Sequence, residues 1–240
     1  MRSLPPRPEL PPQTLQRIES ETLAIEAING LAEQAVGATS RYNNARSSKW
    51  FRAAIDALKS MAGEGQRCMC CSGGEAAQVE HYRPKSTYPS HALLWANLLW
   101  ICGVCNLTKA DDFDENCQPV NPANDYVWNY FFIDEFGNFC AKWSNATNSL
   151  NSRAVKTIQL YGLDRQTLQE TRLARLNELK RFLDDSLALN AQGQLSVVDL
   201  QLRALEFHAS PLQPDVGDYF LNGPGSSEHP FEMYFSTAGL

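Results

Sequence analysis

Apolar residues recur at helical spacing soon after the chain begins. Leu15, Ile18, Ile25, Ile28 and Leu31 share one face, Thr14 can cap it and Gly37 is a stop, so the pattern predicts a helix over 13–36. A second stripe of Trp50, Phe51, Ile55, Leu58 and Met61 predicts a helix over 48–62, capped by Ser47 or Ser48 and ended by Gly63. The pattern then changes to short apolar runs bracketed by cysteines over 68–110, with "NLLWIC" reading as a strand and "GVCNLTKA" as the start of a helix. Turn formers in "QPVNPANDY" make 111–150 loop-rich, and "WNYFFIDEFGNFCAKW" alternates as a β-hairpin does, with Gly137-Asn138 near its turn. Residues 150–190 read as two helices. The first ends near Gly162; the second is capped by Asp164 and carries Leu168, Leu173, Leu176, Leu179, Phe182, Leu183 and Leu187 on a core-facing stripe. The last fifty residues are acidic and weakly patterned, and "NGPGSSEHP" reads as loop.

These elements predict an α+β chain, mainly helical. The regions are a flexible proline-rich tail at 1–12, a helical region at 13–64, a small cysteine-bracketed core at 65–120, a loop and hairpin region at 121–149, and a helical region with an acidic tail at 150–240. Five prolines among the first twelve residues make the tail extended. No apolar run approaches the roughly 20 residues of a membrane span. "MRSLPPRPELPP" lacks the apolar stretch of a secretory leader, so a cytoplasmic protein is expected.

Four of the seven cysteines form two C-x-x-C pairs, Cys68/Cys71 and Cys102/Cys105. Two such pairs supply a tetrahedral thiolate set suited to structural zinc. Thirty residues separate the pairs, more than the about 15–20 of simple zinc ribbons, so the metal staples a substantial unit. Cys70 competes with Cys71 for one place, but only Cys71 has the two-residue spacing from Cys68. Cys117 and Cys140 are expected as buried thiols, His91, His208 and His229 as surface residues, and Trp95 and Trp100 as core packing.

The net charge of −6 excludes a blanket electrostatic grip on nucleic acid. From His81 to Lys109, however, there are three basic residues and no acids, and from Arg153 to Arg181 seven basic residues and three acids. Such stretches fit a confined phosphate-contacting surface, and the second equally fits a solvated helix face. The chain contains no phosphate-binding G-x-x-x-x-G-K-[ST] loop and is not expected to hydrolyse ATP by itself.

Between the cysteine pairs the order of polar residues is Glu80-His81, then Asn97, with Asn106 directly after Cys105 and Lys109 three residues on. With "CMCC", "VEHYRPKS", "WANLLWICGVCN" and "LTKAD", this order resembles the HNH nucleases, built on the ββα-metal motif. The resemblance covers about 45 residues directly. It implies His81 as general base, Glu80 and Asn106 as ligands of a catalytic Mg²⁺ or Mn²⁺, and Asn97 as the residue that tethers the backbone near the histidine. Arg83, Lys85 and Lys109 are candidate DNA phosphate contacts. This sequence has Glu80 where the family commonly has aspartate, and Asn106 where a histidine is common. Imidazole suits the base role because its pKa of about 6.5 leaves it neutral at cellular pH, and a hard divalent ion prefers oxygen ligands. Neighbours on a strand face opposite ways, so Glu80 and His81 share one site only where the strand ends or bends.

"EHYRPKS", "QPVNP" and "AVKTIQLYGLDRQTLQETR" also resemble the PtuB-type HNH proteins of Septu anti-phage defence systems and the HNH proteins that accompany retrons. This implies a DNA nuclease effector beside an SMC/ABC-like ATPase of the PtuA type, met by the helical flanks at 13–62 and 150–190. Two readings stand beside it: a self-sufficient HNH restriction or homing nuclease, and a zinc-stabilised nucleic-acid-binding or interaction module that does not cleave.

Overall fold

A computed structural model describes residues 1–63, 65–196, 199 and 214–222. Three helices come first: α1 (Pro12–Glu26), α2 (Leu31–Arg46) and α3 (Arg52–Met61). The single helix predicted over 13–36 is therefore two. The apolar period runs on through Ile28 and Leu31, but Gly30 adopts φ +87°, which L side chains resist, and turns the chain. Gly37, read as a stop, lies inside α2, where a Cβ would come within 2.4 Å of Ile28 Cδ1. It permits close approach of the α1–α2 turn, and the helix continues to Arg46. Leu15 and Leu31 are exposed, and the stripe that is buried is Thr14, Ile18 and Ile25. Ser47 ends α2 rather than capping the next helix.

The cysteine-bracketed region folds as β1 (Gln78–His81), a long connection, β2 (Leu98–Ile101) and α4 (Gly103–Lys109). The strands are antiparallel, with Glu80 opposite Leu99 and His81 opposite Leu98. A second hairpin, β3 (Phe131–Ile133) and β4 (Phe139–Ala141), turns through Gly137, with the Asp134 carboxylate accepting from the Phe136 and Asn138 amides. A short pair, β5 (Trp143–Ser144) and β6 (Ser149–Leu150), leads to α5 (Ser152–Tyr161), α6 (Gln166–Ala191) and α7 (Pro214–Asn222). Asn151 caps α5 through its side chain, and α6 begins after Arg165 rather than Asp164. The architecture is thus mixed, with helices packed around small two-stranded sheets.

Three regions lie deeper than the sequence indicates. The proline-rich segment is extended but strapped to the body: Met1 and Leu10 are buried, and Arg7 donates to the carbonyls of Trp95, Ala96 and Leu98. On α6 the buried face includes Arg172, which donates to Leu163 O and pairs with Asp215 of α7, while Leu173 is half-exposed. Two acids of the tail, Asp215 and Asp218, are buried; Asp218 accepts from Trp128 Nε1 at 2.7 Å. Cys117 and Cys140 are half-buried rather than buried. His208 and His229 lie outside the described residues. No helix among the described residues is long and apolar enough to cross a membrane.

A cysteine cluster beneath a histidine cleft

Cys68 and Cys71 precede β1, and Cys102 and Cys105 lie where β2 gives way to α4. Pairing of β1 with β2 brings the two ends together. The four Sγ atoms lie within 4.8 Å of one another, all four residues are buried, and none is in a disulfide. Cys71 Sγ and Cys102 Sγ are 3.8 Å apart. A tetrahedral ion with zinc–sulfur bonds of about 2.3 Å places its sulfurs about 3.8 Å apart, so the set fits a structural metal such as zinc. Burial pushes the Cys68 thiol up to about 12, while hydrogen bonds from Cys102 and Cys105 pull Cys71 down. Four buried thiols cannot all ionise without a cation, and a divalent ion supplies the missing charge. Cys70 is buried outside the cluster. Arg165, from the α5–α6 corner, adds a positive charge 3.9 Å from Cys105 Sγ. No local pattern in the sequence marks it.

Above the cluster, β1 ends at His81. One further bond, Tyr82 N–H to Asn97 O at 2.8 Å, prolongs the pairing before the chain departs at Arg83-Pro84. Glu80 and His81 are both buried and point to different neighbours, yet they line one cleft of about 650 Å³ together with Gln78, Lys85, Asn106 and the face of α2 carrying Tyr42 and Arg46. The His81 ring stands edge-on to Tyr42, with centroids 4.6 Å apart, and its Nε2 lies 2.9 Å from Ala92 O. A carbonyl only accepts, so Nε2 carries the proton and Nδ1 of the neutral ring keeps the lone pair. Burial, with Lys85 nearby, pulls the imidazole down to about 4, which keeps it neutral at neutral pH.

Asn97 is the brace of the 82–97 connection. Its Oδ1 accepts from Arg83 N–H at 2.7 Å, and its Nδ2 donates to Arg83 O and His91 O at 3.0 and 2.9 Å. The two ends of the turn that carries the His81 partner Ala92 are thereby held together. His91 is half-buried rather than freely exposed.

Asn106 donates through Nδ2 to Gln78 Oε1 at 2.6 Å, leaving its Oδ1 as an oxygen donor. Glu80 Oε1 lies 2.6 Å from Lys109 Nζ, and burial raises the carboxyl pKa while Lys109 lowers it. Glu80 and Asn106 line the same cleft, and their side-chain oxygens are of the hard kind that divalent ions such as Mg²⁺ prefer.

Two expected phosphate contacts are engaged elsewhere. Lys109 is fully buried, its ammonium held by Glu80 and by His81 O at 3.0 Å. It fixes the end of β1 instead of meeting solvent, because the helix face it shares with Cys105, one turn earlier, is turned into the core. Arg83 lies against the rings of Tyr88 and Phe113 and pairs with Glu115. Lys85 alone of the three lines the cleft. Trp100 is buried and Trp95 half-buried under Arg7, as packing requires.

No protein-family model matches the chain. Over 88 residues it is 32% identical to Septu protein PtuB of Bacillus thuringiensis, a match covering 37% of this chain. The chain spans about a third (32%) of the length of that relative. The similarity is distant and connects this sequence to a Septu protein over part of its length.

Proposed function

We infer that this chain is a metal-dependent endonuclease of the HNH type, acting on DNA as the nuclease component of an anti-phage defence system with an ATPase partner. One observation carries the reading: His81 is fixed by Ala92 O and Tyr42 so that an unprotonated Nδ1 is available beside Glu80 and Asn106 in one cleft. The strand-strand-helix order of β1, β2 and α4, with a four-cysteine cluster that could hold a structural metal at its base, supports the HNH reading, and the partial similarity to Septu protein PtuB supports the defence role and the PtuA-type partner.

In this reading Nδ1 of His81 takes a proton from the attacking water, the water oxygen forms a new bond to phosphorus, and the ester oxygen departs. The neutral ring makes the base available without prior deprotonation. Asn97 holds the loop that orients it. Glu80 and Asn106 would hold a Mg²⁺ or Mn²⁺ ion, which would supply positive charge for the phosphate and the leaving oxygen. Plasmid cleavage with either ion, wild type beside His81→Ala, tests the assignment. Loss of cutting by about 100-fold or more is expected from removal of a general base; cutting at the wild-type rate overturns it.

The second reading, a zinc-stabilised module that binds without cleaving, is favoured by the Glu80–Lys109 pair, which already balances the acid. It predicts metal-independent binding and no cleavage by the wild type.

A further inference from the structure

The phosphate grip of the cleft is incomplete if only the residues from β1 to α4 are considered. Lys109 is bound to Glu80 and Arg83 to Glu115, which leaves Lys85. Another part of the wall comes from the N-terminal helical region. Arg46 and Asn43 of α2 are exposed and line the same cleft as His81, with Thr39 behind them. Arg46 is one turn on from Tyr42, the residue whose ring meets the His81 imidazole. Among the described residues neither Arg46 nor Lys85 is held by a carboxylate. A neighbouring groove of similar size shares Thr39, Asn43 and Lys85 but carries Asp111, which disfavours an anion there. The arm at Arg46 is therefore the part of the cleft suited to a phosphodiester.

We propose that the α2 face formed by Arg46 and Asn43 is a binding track for the DNA backbone, with Arg46 and Lys85 gripping phosphates in the cleft that His81 lines. The proposal rests on the nuclease reading of the cleft, and it gives α2 a role in substrate binding. Arg supplies a planar set of donors that matches phosphate oxygens, and Asn43 supplies a neutral donor beside it.

The test uses the full chain and a fluorescein-labelled DNA duplex, with Ca²⁺ replacing Mg²⁺, and fluorescence anisotropy over a range of salt. Loss of one phosphate contact is expected to weaken binding about eightfold near 0.1 M salt and to lower the salt slope by about one. Arg46→Ala should show this change, Arg46→Glu a larger one, and Arg181→Ala, on the exposed part of α6, none. Arg46 is exposed, so unchanged circular dichroism is expected in each variant. If wild type binds and Arg46→Glu binds with the same affinity and slope, the α2 track is wrong while the nuclease reading stands. If Arg46→Glu loses binding but His81→Ala still cuts as wild type, the track stands and the catalytic assignment falls. A wild type that binds no DNA overturns both.

Discussion

Lys109 Nζ lies 2.6 Å from Glu80 Oε1, and the two side chains are 0% and 7% exposed. The ammonium also reaches His81 O, so one lysine from α4 fixes both the acid and the strand end that carries the histidine. Lys109→Met leaves the Glu80 carboxylate buried without its counter-charge, and breaking such a pair costs about 3–5 kcal/mol. The expected outcome in urea unfolding is a loss of that size, with much of it recovered in Lys109→Met/Glu80→Gln. A single-variant loss below about 1 kcal/mol would show that the pair is only a surface-strength contact.

Asn97 makes three hydrogen bonds at 5% exposure, and two of them are to the backbone of Arg83. In Asn97→Ala these partners lose a bonded group in a place water reaches poorly, at a cost of about 1–3 kcal/mol for each one left unsatisfied. A lower Tm is expected, together with faster amide exchange at Arg83 and around Ala92. Protection unchanged at both places would mean that the connection is held by other contacts.

What the sequence made legible is what local spacing encodes. Each C-x-x-C pair fixes two ligands by itself, and the acid–histidine order lies within one strand. The β-hairpin and the two helices after residue 150 follow from alternation and helical period in the same way. The rest depends on which surfaces meet. Glycine signals were ambiguous because a turn and a close helix contact both demand glycine: Gly30 makes the turn, and Gly37 makes the contact with Ile28. Charge counting placed Lys109 at the surface because nothing nearby in sequence shows which face of α4 turns inward. Arg46 and Tyr42 were invisible as site residues, since 34 positions or more separate them from Glu80-His81 and from the helix that bears Asn106, and only the fold joins them.

The cysteine cluster separates Cys70 from Cys71 in a way elemental analysis can read. The purified wild-type chain is expected to carry one tightly held metal ion, with zinc the best fit to four thiolates. Cys71→Ser and Cys102→Ser should lose it and unfold at lower temperature. Cys70→Ser should keep it, because Cys70 lies outside the four-sulfur set. Chelation should lower the Tm of wild type toward that of Cys102→Ser, since a structural ion binds only the folded chain. Full metal content in Cys102→Ser/Cys105→Ser would remove the site.

Arg7 spans the strap and the core. Its guanidinium donates to Trp95 O and Leu98 O at 3.0 and 2.8 Å, sits 5.0 Å from the Trp95 ring centroid, and is held down to a pKa of about 10 by burial. The carbonyls it meets run from the turn before β2 into the first residue of that strand, so the strap is tied to the start of β2. Hydrogen bonds from a charged donor are worth about 1.5–3 kcal/mol, and Arg7→Ala should cost that much in urea unfolding. Arg7→Lys should recover only part of it, because one ammonium cannot reproduce the fork that serves three carbonyls. Limited proteolysis gives the local readout: cleavage between Pro6 and Leu10 should accelerate in Arg7→Ala well before global unfolding. Equal cleavage rates in both proteins would show that Met1 and Leu10, buried at the strap's two ends, hold it without the arginine.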